Sequence, residues 1–485
     1  MNSIKKHLAL GLFYAAAILY AGCLPEEDLK WSDDGSVGLL SVEEGLYVVD
    51  GETGELKQIA EDLSCPWPDI SGDGKTIVYC QVKMVADLDE GLALLDAAEV
   101  KMIEDYAGRA ATAVVGKGGI EGMAAAEKKV QSSEHFGRWV GRYMCEKGPE
   151  DALLILGQEW TQNAKEAQLP YYEILITNAD GEETQVVTRR VFETADLRLS
   201  PGGKNVAYLV ADPETGGDEE TETYYLFVAS VQGAVKKMLV GERLAILGHD
   251  WRPDGQVVAY ISADGPTYTE SPVFGTLRER IVADSAGALL STESGAEGRL
   301  GGVGCSMPAK NMVSTFFFAF ARVQYGPGGR IFFPGADLRL PMLLDDDHDP
   351  QWSVYCYDTT TGAAVNVLPA KVISETSGFD NLSPTVFSLS PDGRKLLLVM
   401  EGNRFATYEP GAGLTSLKVP MKADEGFEDG LEFMPAWKGS AEVSFIVSDK
   451  SHFDIGGAAK AIGTLDDRGD FSVLSKSWPQ FELLK

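Results

Sequence analysis

The sequence predicts an all-β fold: a β-propeller of seven blades, or alternatively six, with an α-helical insertion in blade 2. Two observations lead to this expectation. A tight turn followed by an apolar strand recurs along the chain, as in "ISGDGKTIVYCQ" (70–81), "LSPGGKNVAYLV" (199–210), "WRPDGQVVAYIS" (251–262) and "LSPDGRKLLLVM" (389–400). A long stretch, residues 85–169, interrupts the repeat with the spacing of helices rather than strands.

Each turn and the strand after it follow the same chemical pattern. Proline presets the first turn position, aspartate suits the next, and glycine tolerates the positive φ that closes the turn. The following strands are rich in β-branched and aromatic residues, as strands buried between layers are. A second hairpin often follows, for example "WSVYCYDTTTGAAVNVLP" (352–369). Two hairpins make a four-stranded antiparallel unit, which buries both faces only when several such units pack around an axis.

Seven candidate units can be distinguished along the chain. They begin near Trp31, Trp67, Leu197, Trp251, Ala321, Val386 and Phe433. The second unit is interrupted by the insertion and resumes at Tyr171, and the seventh is degenerate. Because the pattern departs from the ideal in units four, five and seven, six blades are the alternative.

The SPDG-type turns with "VAY"-like strands resemble TolB-type β-propellers, a fold also found in the propeller of prolyl-oligopeptidases. The resemblance covers most of residues 30–480 outside the insertions. It implies the fold but is poor evidence for function. The GxSxG motif that a prolyl-oligopeptidase catalytic domain would carry is absent.

Residues 1–22 are predicted to be the signal peptide of a bacterial lipoprotein. A short basic region precedes an apolar run that ends in small residues, which is typical of a secretory signal and short for a membrane span. The stretch "LYAGC" (19–23) resembles a lipobox, which implies acyl chains such as palmitate on Cys23. The alternative is an ordinary cleaved signal with a cysteine nearby.

A lipid-bearing Cys23 would place the protein in the bacterial cell envelope, in the outer membrane or periplasm, with the lipid as its only membrane contact. Residues 23–29 are then the expected tether and residues 30–480 the propeller. The formal net charge of −31 excludes nucleic acid and anionic lipid headgroups as expected partners, because like charges repel.

The remaining cysteines predict a disulfide rather than a metal site. No CxxC pair occurs, so a zinc site is not expected. Cys65 and Cys80 are equally distant from the centre of the turn at 71–74, which would place them opposite each other across a hairpin. In an oxidising compartment we therefore predict that they pair. No cofactor is expected.

Two other stretches suggest ligand chemistry. In "LLDDDHDPQW" (343–352), Asp345, Asp347 and Asp349 are candidate calcium ligands, but the spaced DxDxDG loop is missing and a solvated loop is the alternative. The stretch "ATAVVGKGGIEG" (111–122) imitates a dinucleotide-binding loop, but its glycine spacing is wrong. We therefore predict a flexible linker between helices there.

The insertion is predicted to contain three helices, over 89–107, 122–147 and 149–167. An aromatic stripe within the second helix is expected to form the insertion's own core; it consists of Phe136, Trp139, Val140 and Tyr143. Insertions of this kind map to one rim of a propeller, which is often a binding rim.

The sequence thus favours a non-catalytic, lipid-anchored scaffold that binds another envelope protein or a glycan. The alternative is an enzyme, a hydrolase or lyase, with its site in the axial funnel; a purely structural sensor or assembly scaffold is a third possibility. Convergence of two or more carboxylates or histidines at the funnel would favour the enzyme. Of the histidines after the signal, none is adjacent to another in sequence: His135, His249, His348 and His452.

Overall fold

The fold is a seven-bladed β-propeller, as the repeats predict, and the predicted helical insertion in blade 2 is confirmed. The computed structural model describes residues 28–42, 45–61, 68–117, 134–211, 224–233, 236–244, 246–263, 275–290, 312–313, 323–337, 352–368, 387–400, 404–417, 435–448 and 460–476. The chain divides into two compact units, one of Met1–Glu61 with Ser388–Lys485 and one of Asp62–Phe387.

Each of blades 1 to 4 is an antiparallel sheet whose strand order follows the chain. Blade 1 contains β1 (Asp28–Trp31), β2 (Val37–Val42), β3 (Gly45–Asp50) and β4 (Leu56–Glu61). Blade 2 contains β5 (Asp69–Ile70), β6 (Thr76–Val85), β7 (Leu169–Asn178) and β8 (Gln185–Arg190). Blade 3 contains β9 (Thr194–Leu199), β10 (Asn205–Ala211), β11 (Tyr224–Ser230) and β12 (Lys236–Leu244). The described strands of blade 4 are β13 (Ile246–Trp251), β14 (Val257–Ala263) and β15 (Gly275–Ile281).

Blades 5 to 7 follow the same plan. In blade 5, β16 (Met312–Val313) and β17 (Gln324–Gly326) both pair with β18 (Arg330–Asp337), which continues to β19 (Trp352–Asp358) and β20 (Ala363–Asn366). Blade 6 contains β21 (Phe387–Leu389), β22 (Leu396–Met400), β23 (Arg404–Glu409) and β24 (Gly413–Leu417). Blade 7 contains β25 (Ala436–Lys438), β26 (Glu442–Ser448), β27 (Lys460–Leu465) and β28 (Phe471–Ser475).

The insertion connects β6 to β7 and has four described helices rather than the three expected. They are α1 (Leu88–Leu94), α2 (Ala97–Lys117), α3 (Glu134–Lys147) and α4 (Glu150–Glu166). The predicted linker over 111–122 is wrong for residues 111–117, which continue α2 as helix, because alanine-rich sequence sustains a helix across isolated glycines. None of the described helices combines the length and apolarity needed to cross a membrane.

A serine holds the recurrent turn in blades 1, 2, 3 and 6, whereas blade 4 has Arg252 at that position. The Ser390 hydroxyl donates to Asp392 Oδ1 at 2.7 Å and accepts from the amide of Lys395 at 2.9 Å. Gly393 closes the turn with φ +68°, a conformation that favours glycine. Bonds from the amide five residues on to the serine hydroxyl recur at Ser32, Ser71 and Ser200. The repeat seen in the sequence is therefore a repeat of turn hydrogen bonds.

Tryptophans at the end of first strands join neighbouring blades. Trp251 Nε1 donates to the carbonyl of Arg198 in blade 3 at 2.9 Å. Trp437 of blade 7 donates to the carbonyl of Ser388 in blade 6 at 3.0 Å. The unit of Asp62–Phe387 contains blades 2 to 5. Within it, each first strand contacts the first strand of the next blade, in the order β5, β9, β13 and β17. Side chains on these strands are thus brought together from different blades.

Candidate functional site in blades 2 to 4

The insertion is packed firmly onto the propeller. Phe136 and Trp139 of α3 are fully buried in a core that includes strands of blades 2 and 3. Trp139 Nε1 donates to the carbonyl of Pro170 at the start of β7, at 2.5 Å, and the Phe136 ring lies 4.4 Å from that of Phe192 between blades 2 and 3. The aromatic stripe therefore forms a core shared with the blades, not one that belongs to the insertion alone.

A buried ion pair fixes the insertion at a second point. Glu99 Oε1 in α2 accepts from Arg190 Nη1 in β8 at 2.7 Å, and the side chains are 1% and 6% exposed. Glu99 Oε2 accepts from the amide of Val191 at 3.0 Å. Arg190 also donates to the hydroxyl of Tyr208 in blade 3 at 3.1 Å and lies over the Phe227 ring at 4.2 Å. One guanidinium thus ties the insertion to two blades.

The electrostatics of this ion pair favour the charged form of the arginine. Burial lowers the pKa of Arg190, but the facing Tyr208 and Glu99 outweigh burial and hold the pKa above its ordinary value. Arg190 therefore carries its charge throughout the range in which the protein is folded.

The outer side of α4 presents apolar side chains. Leu154 is 81% exposed and Ile155 is 36% exposed, whereas Ala152 and Leu156 of the same turns are buried. The helix bends at Gly157, whose φ of +84° interrupts its α conformation. Glu150 and Asp151 precede the apolar pair in the first turn. We call Leu154, Ile155 and these two acids the α4 patch.

A second group of polar side chains converges on the first strands of blades 2, 3 and 4. It consists of Asp69 in β5, Asp196 and Arg198 in β9, and His249 and Asp250 in β13. Arg198 Nε lies 3.1 Å from Asp196 Oδ1, and His249 Nδ1 lies 3.2 Å from Asp196 Oδ2. We call these five residues the first-strand cluster.

Two of the carboxylates also bond to the backbone of the next blade. Asp69 Oδ2 accepts from the amide of Leu199 in β9 at 2.8 Å. Asp250 accepts from its neighbour Trp251 at 2.9 Å and, through Oδ2, from the amide of Tyr325 in β17 at 2.7 Å. These bonds link blade 2 to blade 3 and blade 4 to blade 5, so part of the cluster has a structural role.

The cluster contains more acids than bases. Burial lowers the pKa of Arg198, but Asp196, Asp69 and Asp250 together hold it above its ordinary value. Burial raises the pKa of Asp250 against the opposing effect of Arg198 and the two backbone bonds. Three carboxylates therefore surround the Arg198 guanidinium, and burial disfavours the charged form of Asp250.

Strain and an unsatisfied histidine occur at the same place. Asp196 has φ +48° and is the non-glycine residue with positive φ among those the structure describes. His249 is fully buried, and neither ring nitrogen completes a hydrogen bond within the described part of the chain. Such features concentrate at functional sites. Within the described ranges, no group of three or more histidine, cysteine or acidic side chains could hold a metal ion.

Most of the predicted site residues lie outside the described residues. This applies to Cys23, Cys65, Asp345, Asp347 and Asp349. Cys80 is buried in β6. Lipidation, the Cys65–Cys80 disulfide and calcium binding therefore stay predictions. Of the histidines, His135 contacts the Tyr172 hydroxyl at 2.9 Å through Nδ1, and His249 belongs to the first-strand cluster.

The acids and the arginine of the cluster were not predicted, although the repeat contains a signal for them. Asp69, Arg198 and Asp250 each stand two places before the first turn residue of their blade, at Ser71, Ser200 and Arg252. Charges of alternating sign at one repeat position in three successive units indicate that they face one another. Gln324 holds the equivalent position in blade 5, and its amide donates to the carbonyl of Phe387 at 3.2 Å.

Comparison with known proteins adds only distant structural likeness. No protein-family model matches the sequence, and no curated protein matches it. TolB from Acinetobacter baumannii aligns with 62% of this chain and 58% of its own length, at 15% identity and a TM-score of 0.32. The oligogalacturonate lyase from Vibrio parahaemolyticus aligns over 77% and 74%, at 12% identity and a TM-score of 0.37.

A prolyl endopeptidase aligns with 95% of this chain and 51% of its own length, at 11% identity and a TM-score of 0.45. The chain thus spans little more than half the length of TolB and of the peptidase. At this level of similarity the comparisons carry no inference about activity.

Proposed function

We propose that this chain is a non-catalytic, lipid-anchored protein of the bacterial cell envelope whose propeller is a scaffold for binding another envelope protein. Binding takes place at the helical insertion of blade 2, through the α4 patch. The lipid on Cys23 holds the protein to the membrane, in the outer membrane or facing the periplasm.

The observation that carries this proposal is the contrast between the two sides of the insertion. Its inner side is fixed to two blades by Trp139 and by the Glu99–Arg190 pair. Its outer side exposes Leu154, an aliphatic side chain that is 81% accessible, on a helix that buries Ala152 and Leu156. A rigid element loses little conformational entropy on binding, and exposed apolar groups rimmed by charge mark interaction sites. The acids in the patch favour a partner that presents an apolar group beside basic side chains.

Binding is tested with the full-length protein in detergent after crosslinking in cells. We expect one envelope protein to crosslink to the wild-type chain and to bind it again when both are purified. Leu154→Glu should abolish that binding, because a carboxylate replaces the apolar contact. Val186→Glu is the matched control, because Val186 is also an exposed aliphatic side chain of blade 2, in β8. Equal binding by both variants would rule out the α4 patch.

Membrane attachment is tested separately. Metabolic labelling with an alkyne fatty acid should mark the wild-type chain and not Cys23→Ser, and the variant should leave the membrane fraction. A Cys23→Ser chain that still carries label would contradict the anchor without affecting the binding proposal.

The alternative function, a hydrolase or lyase, is favoured by one observation. His249 Nδ1 and Asp196 Oδ2 lie 3.2 Å apart on neighbouring first strands, and Asp196 has a positive φ. Against it, His249 is fully buried and both oxygens of Asp250 accept backbone amides. A hydrolytic or lyase activity that disappears in His249→Ala while the unfolding midpoint is unchanged would establish the enzyme instead.

A further inference from the structure

A cleft of about 300 Å³ lies between blades 6 and 7, and both blades belong to one compact unit. Its floor is apolar: Trp437 of β25, Val443 of β26 and Leu465 of β27 line it and are buried. Its volume is at the lower end of the range for small-molecule sites. The cleft is independent of the insertion and of the first-strand cluster.

The walls of the cleft carry hydroxyl groups from blade 6. Thr407 of β23 and Thr415 of β24 line the cleft and are direct cross-strand partners, which places their side chains on the same face of the sheet. Glu409 follows Thr407 by two residues on the same strand and lines the cleft with it. One face of blade 6 therefore presents two hydroxyls and a carboxylate to the cleft.

The opposite wall comes from the turn between β27 and β28 in blade 7. Asp466 accepts the amides of Arg468 and Asp470 at 2.9 and 2.8 Å, so its carboxylate holds the turn in shape. Asp467 and Arg468 line the cleft from this turn and are exposed. Lys395 lines the cleft from blade 6. Acids and bases are thus nearly balanced around the opening.

From this arrangement we propose that the cleft binds a neutral sugar unit of a glycan. A pyranose ring has an apolar face of C–H groups, which suits the floor, and hydroxyls around its edge, which both donate and accept. Complementary hydrogen-bond donors and acceptors line the cleft: Thr407, Thr415, Glu409, Asp467, Lys395 and Arg468. The near balance of charge gives no preference for an anionic or cationic ligand. The cleft accommodates about one sugar ring.

The test is saturation-transfer difference NMR on the full-length protein in detergent micelles. The probes are glucose, N-acetylglucosamine, galacturonate and the dipeptide glycylglycine, offered together. We expect transfer to a neutral sugar. Ala441→Trp should abolish it, because Ala441 lines the cleft at an exposed turn where a large side chain fills the space without disturbing the core. Thr407→Val should weaken binding about tenfold, the equivalent of one lost hydrogen bond. Glu409→Gln keeps one acceptor oxygen but loses the charge, so it should weaken binding less.

Matched controls separate the cleft from general effects. Thr361→Val alters an exposed threonine in a turn of blade 5, and Glu442→Gln alters an acid that pairs with Lys438 outside the cleft; both should bind as the wild type does. Transfer to galacturonate or to glycylglycine alone would overturn the proposal, as would transfer to sugar that Ala441→Trp and the milder Thr415→Val leave unchanged. Leu154→Glu should bind sugar normally, so this result is independent of the proposed protein partner.

Discussion

Arg190 of blade 2 and Arg198 of blade 3 are both buried, but the charged groups around the two guanidinium groups differ. Arg190 faces one carboxylate, one hydroxyl and two aromatic rings, and its partner Glu99 uses both oxygens. Arg198 lies among three carboxylates and a histidine. The first arrangement is matched in charge, and the second has a surplus of acid.

The difference indicates what each arrangement is for. A buried ion pair that is matched in charge specifies how one element docks on another, and Arg190 sets the position of the insertion. A surplus of acid with a strained aspartate and an unsatisfied histidine costs stability, and proteins retain such arrangements mainly where they serve a function. Within the first-strand cluster, the backbone bonds of Asp69 and Asp250 explain two of the three acids. Asp196 lies 3.1 Å from Arg198 and 3.2 Å from His249, whereas neither ring nitrogen of His249 completes a hydrogen bond within the described residues.

The largest expected effect follows from removing the positive charge of the cluster. Arg198→Met keeps the aliphatic volume but leaves three carboxylates facing one another. We expect a loss of about 4 kcal/mol in the free energy of unfolding, as for other broken buried ion pairs. Urea unfolding followed by tryptophan fluorescence measures it.

Arg252→Met serves as the control for that substitution, since Arg252 pairs with Asp254 at a turn and its side chain is 33% exposed. The control should cost under about 1 kcal/mol. Equal losses in the two variants would show that the three acids do not depend on Arg198.

A somewhat smaller effect is expected at the insertion. Glu99→Gln removes the charge that compensates Arg190 and keeps only one of the two acceptor oxygens, because the amide nitrogen can only donate. We expect a loss of about 2–3 kcal/mol, together with faster amide exchange in α2. Lys101→Ala, in the same helix, breaks only the exposed pair with Asp105 and should cost under about 0.5 kcal/mol. A Glu99→Gln chain as stable as Lys101→Ala would mean that the apolar core alone holds the insertion.

The fold was predictable from sequence because its signal is local. The turn residues bond within six residues of one another, as Ser390, Asp392 and Lys395 do, so similar residues recur wherever the same turn does. The helical insertion was visible for the same reason, since helix periodicity is a property of one segment. The boundary of α2 was missed because the glycines of 111–122 suggested a linker, yet Gly116 is an exposed helix position where a Cβ would meet nothing within 4 Å.

The candidate sites were not predictable in the same way. The Glu99–Arg190 pair joins residues 91 positions apart, and the cleft is formed by side chains of two blades. Such contacts depend on how blades pack, which the pattern of a single unit does not contain. The alternating charges at Asp69, Arg198 and Asp250 form a pattern only when the repeats are compared at the same position before each turn. Motif searches instead pointed to Asp345, Asp347 and Asp349, which lie outside the described residues.

A third prediction tests whether the turns set the geometry of the cluster. Gly203 closes the turn between β9, which carries Asp196 and Arg198, and β10. It has φ +64°, and an added Cβ would lie 2.9 Å from Thr76 Oγ1 of blade 2. We expect Gly203→Ala to lower the free energy of unfolding by about 1–2 kcal/mol. Its neighbour Gly202 has open space around it, and Gly202→Ala should be neutral within about 0.5 kcal/mol. If both substitutions cost the same, the turn is less constrained than its φ implies.

The smallest expected effect is a difference in pH dependence between a turn aspartate and a cluster aspartate. Hydrogen bonds from the Ser36 side chain and amide and from the Ser32 hydroxyl lower the pKa of Asp34 to about 2. The stability that ionised Asp34 contributes is therefore present above its ordinary pKa of 3.8 and is lost as the pH falls from 3.8 towards 2. For Asp250 burial raises the pKa, so the folded chain binds the proton more tightly than the unfolded chain, and stability is lost as the pH rises above 3.8.

Asparagine variants separate the two contributions, because asparagine does not titrate. Relative to Asp34→Asn, the wild-type chain should lose stability as the pH falls from 4 to about 2. Relative to Asp250→Asn, it should lose stability as the pH rises from about 4. Urea unfolding of the three proteins across this pH range gives the two slopes, and the constant offset caused by altered hydrogen bonds does not affect them. Slopes of the same sign would show that Arg198 and the two backbone amides outweigh burial at Asp250, and that the acid surplus in the cluster is already neutralised without proton uptake.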